Sequence, residues 1–137
     1  DFAGAQPLLK AATARSPNDY AGRVLFAKCH LMQRQPREAR PHLEKATSIY
    51  PEEAQAHNLL GMTYLVTQQP DRALDQFTTY DKLMPGNPGT TFLQGYSHEM
   101  MKNQKQAAEY YRRFLQQVQQ GPQAQYAYGR LRQWGYV

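Results

Sequence analysis

The sequence predicts an all-α chain, a stack of antiparallel helical hairpins. Three observations predict it: small residues that recur every 34 residues, a proline that recurs near the end of each period, and apolar positions spaced three and four apart between them. With repeats set at residues 20–53, 54–87 and 88–121, the eighth position is Ala27, Gly61 and Gly95, and Gly129 continues the series. The twentieth position is Ala39, Ala73 and Ala107, with Ala5 one period earlier. Small residues at these two places let paired helices approach closely. Pro17, Pro51 and Pro85 recur at position 32 and only Gln119 breaks the series, while Pro36 and Pro70 form a second matched pair. A proline cannot continue the helix before it, so the punctuation repeats with the packing.

The elements follow in order, with helices expected near residues 3–15, 20–33, 37–49, 53–67, 71–83, 88–102, 105–119 and 122–134. Within each first helix, positions 4, 7 and 11 share a face with position 8, as Leu60, Gly61 and Tyr64 show, and that stripe is core. In Pro85-Gly86-Asn87-Pro88 the glycine suits a helix exit, the asparagine an N-cap and the second proline a first helical position. Gln120-Gly121-Pro122 repeats that logic.

At 137 residues the chain reads as one domain, residues 1–137. It contains no apolar run long enough for a membrane helix and no basic-then-apolar start of a signal peptide, so a soluble chain of unreadable address is expected. Cys29 is the only cysteine, which excludes an internal disulfide and any multi-cysteine zinc site. The net charge is +5, and residues 100–137 carry the excess: Lys102, Lys105, Arg112, Arg113, Arg130 and Arg132 against Glu109 alone. A partner of acidic character would prefer that end.

These residues resemble the tetratricopeptide repeat (TPR), which places a large aromatic, Leu, Gly and Tyr in its first helix and Ala, an aromatic, Ala and Pro in its second. Residues 54–87 carry the resemblance best, with Leu60, Gly61, Tyr64, Ala73, Phe77 and Pro85; His57 stands where the family prefers tryptophan and Tyr80 where it prefers alanine. Residues 20–53 supply Phe26, Ala27, Ala39, Leu43, Ala46 and Pro51, with His30 in place of tyrosine. Residues 88–121 supply Gly95, Ala107 and Tyr111, with His98, Phe114 and Gln119 departing. The resemblance implies a right-handed α-solenoid of three full repeats. Residues 1–19 are then the second helix of a truncated repeat and residues 122–137 a capping helix, as in a segment cut from a longer chain. An apolar edge at Leu8 and Leu9 makes a homodimer a further expectation.

In TPR proteins the first helices line a concave groove that holds a peptide or helix of a partner protein. Positions 2, 5, 9 and 12 point away from the second helix, which selects Val24, Lys28, Asn58, Met62, Phe92, Tyr96, Tyr126 and Arg130 as candidate peptide-binding residues. Aromatic, Met and Arg side chains are enriched at interfaces. Several groove positions, Leu31 and Leu65 above all, double as packing between repeats. Lys28, Asn58 and Arg130 invite comparison with the carboxylate clamp of some TPR proteins, but Phe92 and Tyr96 occupy the slots where that clamp needs further basic residues.

Other signals are weaker. His98-Glu99-Met100-Met101-Lys102 begins like a zinc-protease helix but ends in lysine, and His98 falls at a core position. No paired carboxylates, nucleophile with base, or Gly-rich phosphate loop appears, so neither an enzyme nor a cofactor is expected. The competing reading is binding of nucleic acid or another polyanion by the basic, tyrosine-rich end, around Tyr110 to Arg113 and Tyr126 to Trp134.

Overall fold

The computed structural model describes residues 2–137, with side chains described from Gly4 onward, and contains eight helices among them. They are α1 (Phe2–Arg15), α2 (Tyr20–Met32), α3 (Pro36–Ile49), α4 (Ala54–Val66), α5 (Pro70–Leu83), α6 (Pro88–Met100), α7 (Gln104–Gln117) and α8 (Pro122–Gln133). The helices expected from the period coincide with these to within two residues at every end. None among the described residues is long and apolar enough to cross a membrane.

The prolines act as expected. Pro36, Pro88 and Pro122 occupy the first turns of α3, α6 and α8, where a missing N–H costs nothing. Asn87 caps α6 by accepting from the Gly89 N–H at 2.9 Å, and Gly86 before it has φ 86°. α7 ends two residues before the expected position: Val118 takes extended angles, and Gly121 at φ 105° leads into Pro122.

Three turns depart from the usual chemistry at the same point of the period. Arg34, Gln68 and Lys102, at φ 59°, 62° and 63°, follow α2, α4 and α6 in the left-handed region. Each turn closes in the same way, with Gln35 N–H donating to His30 O, Gln69 N–H to Tyr64 O and Asn103 N–H to His98 O. These bonds satisfy carbonyls that the helix end would leave open.

The chain divides into two compact units, Asp1–Gln69 and Pro70–Val137. In the first, α2 and α3 form a hairpin, with α1 packed on α2 and α4 on α3; in the second, α6 and α7 form the hairpin, with α5 on α6 and α8 on α7. Small residues permit both crossings. Ala27 and Ala39 are fully buried in the first unit, and so is Ala107 in the second. At Gly95 the approach is closer still, because an added Cβ would stand 2.8 Å from the ring of Tyr111.

The first unit buries Phe26, Leu43, Leu60 and Tyr64. Its polar groups are answered locally: the Tyr64 hydroxyl donates to Glu44 Oε2 at 2.6 Å, and His57, only 7% exposed, donates from Nε2 to the Pro51 carbonyl at 2.8 Å. The Tyr20 hydroxyl accepts from the Ala56 N–H, one of the open donors of the first turn of α4. The second unit is built on Phe92, Ala107, Tyr111, Phe114, Ala127 and Leu131.

Candidate functional site

The first-helix faces that the periodicity selects carry two groups of side chains, one in each unit. In the first unit Val24 is only 4% exposed and packs in the core, whereas Met62 is 38% exposed. Lys28 and Asn58 are partly buried. The large apolar side chains of α2 and α4 that stand exposed are Leu25 (49%), Met32 (64%), Met62 (38%) and Val66 (63%). They occupy positions 6, 9 and 13 of the repeat. That row is also a helical one, a single step round from positions 5, 9 and 12. Leu25, Met32 and Val66 do not stand out in the sequence, because the period alone fits both rows. The signal the sequence does hold is α4 itself, whose apolar residues are not confined to one face, which is more than one buried face requires.

In the second unit the structure brings Phe92, Tyr96, Tyr126 and Arg130 together. Phe92 is 8% exposed and forms the base, with ring centroids 6.4 Å from Tyr96, 6.0 Å from Tyr126 and 5.2 Å from Phe114. Tyr96 and Tyr126 meet edge to face at 5.9 Å above it. Tyr126 is 38% exposed.

The polar side of this cluster converges on Glu99. Its Oε1 accepts from the Tyr111 hydroxyl at 2.7 Å, and its Oε2 accepts from the Tyr126 hydroxyl at 2.9 Å and pairs with Arg130 Nη2 at 2.9 Å. Arg130 Nη1 donates to Gln133 Oε1 at 2.6 Å, and the guanidinium lies 4.9 Å over the ring of Trp134. Burial, then hydrogen bonding to Glu99, raise the Tyr126 phenol to about 12 and push the Tyr111 phenol further up. Arg130, selected as a polar anchor, therefore already has a carboxylate.

Other signals resolve into packing. His98 stacks on Tyr110 at 5.3 Å, and burial lowers its pKa. Among the described residues no group of three or more His, Cys, Asp or Glu side chains could hold a metal ion. At the basic end Arg112 lies 4.7 Å over the Tyr136 ring and Arg113 5.0 Å over that of Tyr110, so one face of each ring is occupied by the chain's own cation. Leu8 on α1 is 74% exposed.

Paired helices with the same turn every 34 residues define a helical-repeat protein. The chain belongs to the tetratricopeptide repeat family, whose pattern matches residues 1–62, 31–89 and 91–120. Its fold class is the all-α solenoid of that family. Among solved structures, a crystal structure of MamA is similar over 99% of this chain and 80% of its own, at TM-score 0.90 and 20% identity. A second MamA crystal structure covers 95% of this chain and 73% of its own, at TM-score 0.83 and 19% identity. A crystal structure of the APC/C hetero-tetramer Cut9-Hcn1 is similar over 99% of this chain and 26% of its own, at TM-score 0.82 and 18% identity. A comparison with curated proteins gives no match.

Proposed function

We propose that this chain is a non-enzymatic scaffold that holds a peptide or helix of a partner protein on its first-helix faces. The observation that carries the reading is the solvent-exposed apolar row of Leu25, Met32, Met62 and Val66 on α2 and α4, at residues whose packing duties the fold does not require. Methionine adapts to different partner shapes, and a protein segment is the ligand such a row suits. Lys28 and Asn58 supply polar contacts beside it, and Tyr96 and Tyr126 offer an aromatic ledge on the second unit. Val24 and Phe92 support these faces from beneath. The structural relatives support a scaffold role through their fold, and Cut9 is itself found assembled with Hcn1.

A polyanion-binding role for the basic end has less behind it, because Arg112 and Arg113 already cover tyrosine rings there. Photo-cross-linking groups placed at Met32, Met62 and Val66 are expected to capture the partner from extracts of the source cell, in a yield insensitive to moderate salt. A cross-linker at the exposed Ser48 on α3 is the control. Equal capture at both places, or capture abolished by moderate salt, would overturn the groove reading.

A further inference from the structure

A cleft of about 590 Å³ opens in the first unit between α1, α2 and α3, within the range of ligand-binding clefts. Its chemistry comes from Lys10 on α1, Arg23, Phe26 and His30 on α2, and Glu38 and His42 on α3. On α2, Arg23, Phe26 and His30 lie on the side of the helix opposite Leu25, Lys28 and Met32, so the cleft is separate from the partner-binding row. An adjoining cavity of about 410 Å³ shares Lys10, Phe26 and His30 and continues to Gln6 and Pro7, which makes the surface elongated.

Three flat rings form one wall. Phe26 stacks on His42 at 4.2 Å and on His30 at 4.8 Å, and the two imidazoles are 9° from parallel at 5.6 Å. The Nδ1 atoms of both imidazoles are engaged, that of His30 with the Gln6 and Gln35 amides at 2.9 Å and that of His42 with Arg23, and among the described residues no group of three or more His, Cys, Asp or Glu side chains could hold a metal ion here. Arg23 is fixed beside them, with Nε donating to the Pro17 carbonyl at 3.0 Å and Nη1 to His42 Nδ1 at 3.0 Å. A guanidinium can only donate, so His42 Nδ1 accepts and the neutral ring carries its proton on Nε2. Arg23 Nη2 keeps its donors, and the Lys10 ammonium has no hydrogen-bond or ion-pair partner among the described residues. Against these donors stands one lining carboxylate, Glu38, which is exposed.

We propose that this cleft is a second binding site, for an acidic peptide segment: Arg23 and Lys10 take a carboxylate, and the Phe26, His30 and His42 rings take the apolar side chain next to it. The held guanidinium favours a carboxylate because little ordering entropy is left to lose on binding. The length of the joined cavities and their apolar lining favour an extended segment over a free ion.

The chain has four histidines, and His57 and His98 lie outside the cleft, so the imidazole resonances report occupancy with internal references. The probe is a C-terminally amidated octapeptide of alternating Glu and Leu, with its Gln-Leu counterpart and sodium acetate as controls. The Glu-Leu peptide is expected to move the His30 and His42 signals saturably while those of His57 and His98 stay in place. Lys10→Gln, which removes no internal bond, weakens binding about threefold. Arg23→Gln weakens it about tenfold, and Glu38→Gln tightens it about twofold. Should Arg23→Gln fail to fold, the opposite effects of Lys10→Gln and Glu38→Gln still decide. Equal response to the Gln-Leu peptide, movement of the cleft histidines by acetate alone, or shifts spread over all four histidines would overturn the proposal.

Discussion

Glu99 on α6 and Arg130 on α8 are joined by a 2.9 Å contact between Oε2 and Nη2, and the two side chains are 14% and 30% exposed. The same carboxylate also receives the Tyr111 and Tyr126 hydroxyls. One side chain of α6 therefore gathers a residue of α7 and two of α8. A partly shielded carboxylate with three donors is worth more than a surface pair, and removing its charge leaves Arg130 without its counter-ion.

Glu99→Gln is expected to destabilise the chain by about 1–3 kcal/mol, measured by urea unfolding. The tyrosines supply a second reading. In the native chain the Tyr126 phenol is raised to about 12 and Tyr111 is raised too. Both keep their protons in the fold where the unfolded chain has released them, so their contribution is complete below about pH 10 and declines as pH climbs through the folded value. Phenolate absorbance should show three of the ten tyrosines titrating late, Tyr111, Tyr126 and Tyr20, whose phenol burial also raises, and Glu99→Gln should return Tyr111 and Tyr126 toward the rest while Tyr20 stays in place. Unchanged late titration in the variant would remove Glu99 as a cause.

Gly95 and Gly129 occupy the same repeat position with opposite consequences. A Cβ at Gly95 meets the Tyr111 ring at 2.8 Å, and Tyr111 is fully buried and cannot retreat, so Gly95→Ala should cost about 1–3 kcal/mol. Nothing lies within 4 Å of a Cβ at Gly129. Gly129→Ala should stabilise by up to about 1 kcal/mol through helix propensity. Thermal unfolding of the two variants checks both signs.

His42 makes the first unit sensitive to acid. Burial, then the charges of Arg23 and His30, lower its pKa to about 4. The unfolded chain takes up that proton near pH 6.5 and the fold resists it until about pH 4, so stability declines as pH falls across that interval. His42→Gln keeps an acceptor for Arg23 and cannot titrate. Its melting temperature should fall less between pH 7 and pH 4 than that of the parent, and parallel curves would discount the histidine.

The left-handed turn residues invite a substitution. Gln68 pays for φ 62° with a Cβ that crowds its carbonyl, a strain glycine lacks. Gln68→Gly loses some of that gain to the greater freedom of the unfolded chain, leaving a net stabilisation of about 1 kcal/mol or less. Chemical unfolding should show a higher midpoint at unchanged slope.

The helices were legible because prolines and small residues act locally: Pro36 and Pro88 mark starts whatever lies around them, and Ala39 or Ala107 reveals a crossing by its size. The exposed row was harder to read, since Val24 and Leu25 are neighbours in sequence and the period fits either one facing outward. The Glu99 cluster was hidden for another reason. Arg130 reads as a free cation until α8 is placed beside α6, and no local pattern links residues 31 apart. The cleft over α2 was equally hidden, because Arg23 and His42 meet only after α2 and α3 have paired.

The order of packing within each unit, every helix set mainly against the one before it and the one after, has a kinetic consequence. Assembly requires only the closure of short turns, so little chain entropy is spent before the first apolar contacts form, and folding should be fast for a chain of this size. The same arrangement makes opening piecemeal: within a unit a helix can come away by breaking contact mainly with its neighbours in the chain, and a bound partner would slow the exchange of the amide protons so released.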